Sequence, residues 1–326
     1  MKLSQILTAI FIGLSANAQT YPPADGTAGT TAIHKDSPLY VAWATGITVE
    51  RGFISITNPN LTASGSNKAT FGLPSDAIGY PDGNVVSLGD AGHAILTFAS
   101  PIYDGEGFDF AVFENGGIAF LELAVVEASS DGIHFFRFPA HSLTQTTTQI
   151  GTFETPVATN LNNIAGKYSG NFGTPFDISE LEDNALLDKT SITHIKVIDV
   201  VGSIDPDYAT FDAFGNAINE AHPTPFNSCG FDLQAVGVIN QATLGRDDFP
   251  KNTIKIYPNP TKDFFTIKSD EPTKMTIYDI SGRIVLEQHA GPNQQVNVSS
   301  LTPGVYIVEV VLAAQGEKNA QQLIIN

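Results

Sequence analysis

The alternation of apolar and polar positions predicts short strands along most of the chain. It is clearest in residues 107–139, where two apolar runs, 108–114 and 121–127, are followed by a third strand after the Gly-containing turn 130–132. Side chains alternate across a strand, and both faces of these runs are partly apolar. Such strands are typical of a sheet buried on both faces, as in a two-sheet sandwich.

Three carboxylates fall on mostly apolar strand faces, and we predict that they are buried. Glu114 and Glu127 belong to the runs just described, and Asp199 belongs to a further predicted strand, 192–201. Burying a bare charge is costly, so each must be paired, hydrogen-bonded, bound to a metal or kept near the rim.

The remaining pattern predicts an all-β fold. Further apolar runs predict strands at 41–44, 52–56, 93–98 and 230–239, whereas 178–187 is a short helix candidate. Frequent Gly and Pro between these runs favour turns. We therefore predict a jelly-roll-like β-sandwich followed by a small Ig-like β-sandwich.

The chain begins with features of a secretory signal peptide. A lysine precedes a short apolar run, and Ala16-Asn17-Ala18 matches the small-residue cleavage pattern. The apolar run is too short to span a bilayer, so we expect a soluble mature chain without a transmembrane segment. The predicted organisation is a signal peptide at 1–18, an acidic sandwich module at 19–240, a linker at 241–250 and a last domain at 251–326.

Charge is distributed very unevenly along the 326 residues. The formal net charge is −18, yet the segment from residue 249 onwards carries seven basic and seven acidic residues, so the whole excess falls on the first module. Nucleic acid is disfavoured as a partner, because phosphate binding needs clustered Lys and Arg. Divalent cations and neutral ligands remain possible partners, although an acidic surface also serves solubility alone.

One acidic loop predicts a calcium site. Asp205, Asp207 and Asp212 supply oxygen ligands at short spacing, and Gly215 allows a turn. The spacing does not match an EF-hand, and an ordinary polar loop is an equal alternative. A single cysteine, Cys229, excludes an intramolecular disulfide, so a bound ion is one way to stabilise the exported chain.

Several blocks of the first module resemble an uncharacterised family of bacterial cell-surface proteins. They cover residues 86–89, 110–116, 122–127, 165–168, 198–202 and 230–233. The resemblance implies no catalytic residues. The chain departs from the family pattern by having Cys229 where Gly, and Gln234 where Asp, is usual.

The last domain closely resembles the type A C-terminal sorting domain of type IX secretion substrates. Three blocks carry the resemblance in the expected order: 257–260 (YPNP), 277–283 (IYDISGR) and 301–306 (LTPGVY). The resemblance implies export through the periplasm, interaction with the type IX secretion machinery, and release or attachment at the cell surface.

The first module contains none of the common nucleophile, phosphate-binding or zinc-binding motifs. We therefore favour a non-catalytic binding module for carbohydrate or another scavenged small molecule, with calcium as a possible stabilising ion, and we assign no catalytic residue. One alternative is a glycoside hydrolase that uses two carboxylates. Its candidate residues are Glu114, Glu122, Glu127 and Asp199. Another alternative is an adhesion or matrix protein.

Overall fold

The chain forms two compact units, Met1–Ala242 and Thr243–Asn326. The predicted signal peptide and most of the predicted linker lie outside the described residues. The computed structural model describes residues 20–117, 119–242, 255–269, 272–312 and 318–326.

The first unit is a sandwich of two antiparallel sheets. Its strands in chain order are β1 (Ile33–His34), β2 (Ala42–Trp43), β3 (Gly46–Glu50), β4 (Val86–Ser87), β5 (His93–Ile102), β6 (Phe110–Glu114), β7 (Ala124–Ser129), β8 (Phe136–Arg137), β9 (His141–Ser142), β10 (Leu161–Asn162), β11 (Phe172–Phe176), β12 (Ile192–Asp199) and β13 (Asp232–Val238). One sheet has the order β1-β11-β6-β13-β2, with β4 also on β13, and the other has the order β3-β5-β12-β7-β8. Strands β9 and β10 form a separate two-stranded ribbon.

The main core fills the space between the two sheets. Phe110 and Val112 on β6 belong to one buried cluster with Val197 on β12 and Leu96 on β5. The other face of β6 is also covered, because Phe113 packs against aromatic side chains that precede and form β2. This double coverage explains why the sequence of β6 is apolar on both faces.

The second sheet contains the hairpin that the sequence predicts. Strands β7 and β8 pair through Glu127 opposite Arg137. The turn between them is held by the Asp131 carboxylate, which accepts hydrogen bonds from the backbone N–H groups of Ile133 and His134. Strand β6, in contrast, does not pair with β7. The chain leaves the first sheet at Glu114 and enters the second sheet at Ala124.

Two predicted elements are shorter than expected. The helix candidate 178–187 contains only a 3₁₀ turn, Ile178–Glu180, capped by the Asp177 side chain. Beyond it, Asn184 accepts a hydrogen bond from the N–H of Leu186 and forms a turn, as short polar side chains often do. The predicted strand 52–56 is reduced to isolated bridges at Phe53. Two further 3₁₀ turns span Pro74–Ala77 and Ala158–Asn160.

The second unit is a smaller sandwich of a three-stranded and a four-stranded sheet. Its strands are β14 (Lys255–Tyr257), β15 (Phe264–Lys268), β16 (Thr273–Tyr278), β17 (Ile284–Ala290), β18 (Gln295–Asn297), β19 (Gly304–Leu312) and β20 (Lys318–Ile325). The sheet orders are β14-β15-β18 and β17-β16-β19-β20. Phe265, Ile277, Val296 and Val308 contribute to its core. The predicted all-β architecture of two successive sandwiches is confirmed.

Candidate functional site

Carboxylates gather at one end of the first sandwich. Strand β6 ends at Glu114, which lies opposite Leu233 of the antiparallel strand β13, so Glu114 and Asp232 lie at the same end. In the other sheet, β12 ends at Asp199, whose carboxylate accepts a hydrogen bond from the N–H of Phe231 at 2.7 Å. The strand directions therefore bring these side chains together.

Six carboxylates form what we call the buried acid cluster. Each is at most 8% exposed, and several act on one another electrostatically. Three come from strand ends and three from the connecting segments. The members are Asp90, Glu114, Glu122, Asp199, Glu220 and Asp232.

Charge in this cluster is not neutralised by direct ion pairs. Among the described residues, none of the six carboxylates forms a salt bridge with a Lys, Arg or His side chain. Arg51 attracts Asp232 electrostatically, but its guanidinium donates to the carbonyl oxygens of Phe71, Gly72 and Ser87. The cluster must therefore bind protons or cations, or accept backbone hydrogen bonds.

Burial shifts the cluster towards its protonated form. Loss of hydration raises the pKa of Asp90 to about 7 and that of Asp232 to about 6. Desolvation also raises the pKa values of Glu114 and Asp199 well above their ordinary range, and repulsion from Asp232 and from Asp90, respectively, adds to this.

Hydrogen bonding differs among the members. Both oxygens of Asp199 accept backbone N–H groups, from Ala91 at 3.0 Å and from Phe231 at 2.7 Å. Glu114 accepts through Oε1 from the N–H of Gly116 at 2.6 Å, whereas its buried Oε2 has no partner. Asp199 is therefore held by the fold alone, whereas Glu114 retains one free acceptor.

The sequence predicts that Glu114, Glu127 and Asp199 are buried. Glu114 and Asp199 are each 1% exposed, whereas Glu127 is only partly buried. Glu127 lies on the outer face of the second sheet, where its side chain is 13% exposed. Its neighbours across the sheet are Arg137 at 3.0 Å and Lys196 at 3.7 Å. Glu127 is thus paired with opposite charges on both adjacent strands.

The predicted calcium ligands lie in one loop, but their oxygens are partly used by that loop. Asp212 accepts hydrogen bonds from the N–H groups of Ser142 and Asn216 at 3.0 and 2.8 Å, and burial leaves it 7% exposed. Asp205 accepts from the N–H of Asp207 at 3.1 Å. The oxygens of these three carboxylates do not all lie within 4.8 Å of one another. Calcium binding at this loop stays a prediction.

A different trio does place three carboxylate oxygens within 4.8 Å of one another. It consists of Asp104, Asp109 and Asp177, and it is the one such group in the described part of the chain. Asp109 nevertheless accepts three hydrogen bonds, from Gly105 N, Ile178 N and Asn240 Nδ2. These bonds give Asp109 a structural role.

Exposed aromatic rings lie on long connections of the first unit. Phe153 is 77% exposed and Phe226 is 40% exposed, and their ring centroids are 6.0 Å apart. Phe214, 68% exposed, contacts the ring of His141 at 4.2 Å. Trp43 is half-buried on the outer face of the first sheet beside Tyr40.

The family comparison concerns the second unit. Residues 255–326 match the family model described as a secretion system C-terminal sorting domain. The second unit is a type IX secretion sorting domain. The sorting domain directs export, so the protein is secreted or displayed at the cell surface. This domain also implies an interaction with the type IX secretion machinery.

Other similarities are partial. Beta-agarase D from Zobellia galactanivorans is 30% identical over 77 residues, which are 24% of this chain and 16% of the agarase. PorZ, a surface component of the type IX secretion system of Porphyromonas gingivalis, is 11% identical with a TM-score of 0.21, covering 87% of this chain and 52% of PorZ. Beta-glucuronidase 3 of Bacteroides uniformis is 10% identical with a TM-score of 0.21, covering 90% of this chain and 35% of that enzyme. The chain thus spans at most about half of each of these proteins.

No helix in the described ranges has the length and apolar character needed to cross a membrane.

Proposed function

We propose that the first unit is a non-catalytic binding module for carbohydrate or another small molecule with an apolar face. The observation that carries this proposal is the exposed ring pair of Phe153 and Phe226. Contiguous exposed apolar surface is typical of interaction sites. Two rings inclined by 34° offer a surface on which the C–H face of a sugar ring can pack.

The two loops that carry these rings are tied to each other before any ligand arrives. Thr152 Oγ1 donates a hydrogen bond to the carbonyl oxygen of Pro223 at 2.8 Å. The N–H of His222 donates to the carbonyl oxygen of Ile150 at 3.1 Å. Because the loops are preorganised, ligand binding loses less conformational entropy.

The hydrolase alternative receives less support from the placement of its candidate residues. A glycosidase needs two carboxylates that flank the scissile bond. Glu114 and Asp199 are both buried, and Glu127 is engaged by two cations on another face. This arrangement favours binding over hydrolysis.

Replacing both Phe153 and Phe226 with alanine is expected to weaken ligand binding by about tenfold or more, since truncated aromatic anchors commonly cost over 1 kcal/mol. The measurement is affinity electrophoresis of the full chain against a panel of soluble neutral polysaccharides. The matched control is Ile133→Ala, because Ile133 is also 77% exposed but lies on the turn after β7.

Retardation of the wild type by at least one polysaccharide, lost in the double variant and kept in the control, supports the proposal. Equal retardation of wild type and double variant would contradict the assignment to the ring pair. Failure of the whole panel to retard the wild type would remove carbohydrate as the ligand. Release of reducing sugars would instead favour the hydrolase.

A further inference from the structure

Two stretches of the first unit lie side by side and form what we call the seam. They are residues 140–154 and residues 212–226. Hydrogen bonds and one ring contact join them at successive positions, which are Ala140 with Ala213, Gln149 with Glu220, Ile150 with His222, Thr152 with Pro223, and Phe153 with Phe226. Residue numbers rise together in both stretches, so the two stretches run in the same direction.

The middle of the seam is fixed by a buried side-chain amide. Asn219 is 0% exposed, and its Nδ2 donates to the carbonyl oxygens of Gln145 and Thr148 at 2.7 and 2.9 Å. Its Oδ1 accepts a hydrogen bond from the N–H of Ile150 at 3.0 Å. Both polar atoms of this amide therefore have partners in the opposite stretch, and the seam is a fixed part of the fold.

An aromatic pair lies at each end of the seam. One is the exposed ring pair of Phe153 and Phe226. At the other end, the ring centroids of His141 and Phe214 are 4.2 Å apart, and Phe214 is 68% exposed. Each pair takes one ring from each stretch. The length of chain from Phe214 to Phe226 limits the separation of their Cα atoms to at most about 43 Å.

The second pair is held in place before any ligand arrives. Nδ1 of His141 and the hydroxyl of Tyr21 share a hydrogen bond of 2.5 Å. The N–H of Phe214 donates to Asp212 Oδ1 at 2.9 Å, and the N–H of Ser142 donates to Asp212 Oδ2 at 3.0 Å. Asp212 thus joins the two stretches next to this pair, so a ligand does not have to order the rings.

The first stretch is polar and uncharged between its two rings. Residues 142–153 contain no Asp, Glu, Lys or Arg. Residues 145–148, which are one glutamine and three threonines, are all exposed. An uncharged strip of amide and hydroxyl groups on an acidic module favours a neutral, hydroxyl-rich ligand over a charged one.

We propose that the seam binds one extended chain of a neutral polysaccharide, with a sugar unit on each of the two aromatic pairs. The inference rests on the proposed carbohydrate-binding function. It adds that the ligand is a polymer and that His141 and Phe214 form its second binding site.

Two weak sites on one fixed surface explain why a polymer is the preferred ligand. Once one sugar unit is bound, contact of the same polysaccharide chain with the second site is intramolecular and occurs at a high effective concentration. A disaccharide that occupies only one pair gains nothing from the other pair. The affinity should therefore depend on the length of the saccharide.

The experiment is isothermal titration of the full mature chain with laminarin, xylan, galactomannan and pullulan, and then with size-fractionated oligosaccharides of each polymer that binds. We expect the wild-type affinity to rise by about a hundredfold or more from the disaccharide to the longest oligosaccharides. Phe214→Ala should abolish most of this rise. The affinity of the Phe153 and Phe226 pair for the disaccharide should be unchanged in this variant.

Two further variants separate ligand binding from an effect on folding. Phe214→Tyr keeps an aromatic ring and should keep the dependence on length. Ile133→Ala is the matched control, because Ile133 is 77% exposed on the turn after β7. Since Phe214 is largely exposed, its alanine variant should also keep the thermal midpoint of the wild type.

A dependence on length that survives in Phe214→Ala, while Phe153→Ala/Phe226→Ala abolishes binding, would overturn the second site and leave the proposed function standing. Equal wild-type affinity for the disaccharide and the polymer would likewise overturn the seam proposal alone. If no probe binds the wild type, the seam proposal and carbohydrate binding fail together.

Discussion

Replacing Asp109 with alanine is expected to lower the free energy of unfolding of the first unit by about 3 kcal/mol or more. Asp109 is 0% exposed and accepts hydrogen bonds from Gly105 N, Asn240 Nδ2 and Ile178 N at 2.8, 2.8 and 2.7 Å. Alanine leaves three donors without an acceptor, and each costs roughly 1–3 kcal/mol where it remains buried. The carboxylate joins the start of β6, the end of β13 and the 3₁₀ turn that begins at Ile178.

Chemical unfolding of the full chain measures this effect, and a thermal midpoint lower by on the order of 10 °C would accompany it. Asp109→Asn keeps one oxygen for the donors of Gly105 and Asn240 but turns its NH2 group towards the N–H of Ile178, so its loss should be smaller than that of the alanine variant without being abolished. Asp104→Ala is the control from the same acidic trio, because Asp104 is more exposed and its carboxylate accepts no hydrogen bond from the described residues. Equal losses in Asp109→Ala and Asp104→Ala would contradict the structural role of Asp109.

The strands were predictable to within a few residues where apolar side chains alternate regularly. Strands β12 and β13 lie within the predicted runs, because their inward positions are filled by branched or aromatic residues such as Val197 and Leu233. Their partners were not predictable. Alternation fixes which face is buried, but it does not say that β6 and β7 belong to opposite sheets.

The buried acid cluster was only partly predictable for a related reason. Glu114 and Asp199 interrupt regular apolar strands, so periodicity identifies them. Asp90 and Glu220 lie in connecting segments, where no period marks the buried side. Glu127 also lies on an apolar face according to the alternation of its strand. Its side chain nevertheless faces outward, between Arg137 and Lys196 on the neighbouring strands. Only the pairing of strands distinguishes these cases.

Raising the pH from about 4 to about 7 in the presence of a chelator is expected to destabilise the first unit. Asp90 is 3% exposed, and loss of hydration raises its pKa from 3.8 to about 7, opposed by a hydrogen bond from Ile56 N. A carboxyl whose pKa is raised by folding contributes stability below its unfolded pKa. That stability is lost as the pH rises through the folded value, and for Asp90 the loss is on the order of 4 kcal/mol.

The other buried groups mostly act in the same direction. Burial raises the pKa values of Glu114, Glu122, Asp199 and Glu220 well above their ordinary range. His93 and His222 act in the opposite direction, because desolvation lowers the pKa of each and the unfolded chain then binds the extra proton. Two opposing imidazoles do not offset several carboxyls, so the net trend is a fall in stability.

Unfolding by urea at several pH values, in chelator, tests this for the wild type and for Asp90→Asn. The asparagine keeps an oxygen for the N–H of Ile56 but does not titrate. Over the same pH range, the variant should therefore lose about 4 kcal/mol less stability than the wild type. Asp207→Asn is the control, because Asp207 is exposed in a loop. Wild-type stability that stays level or rises between pH 4 and 7 would show that the carboxyls of the cluster are ionised and stabilised by the fold itself. If Asp90→Asn loses as much stability as the wild type between pH 4 and 7, the titrating group lies elsewhere in the cluster.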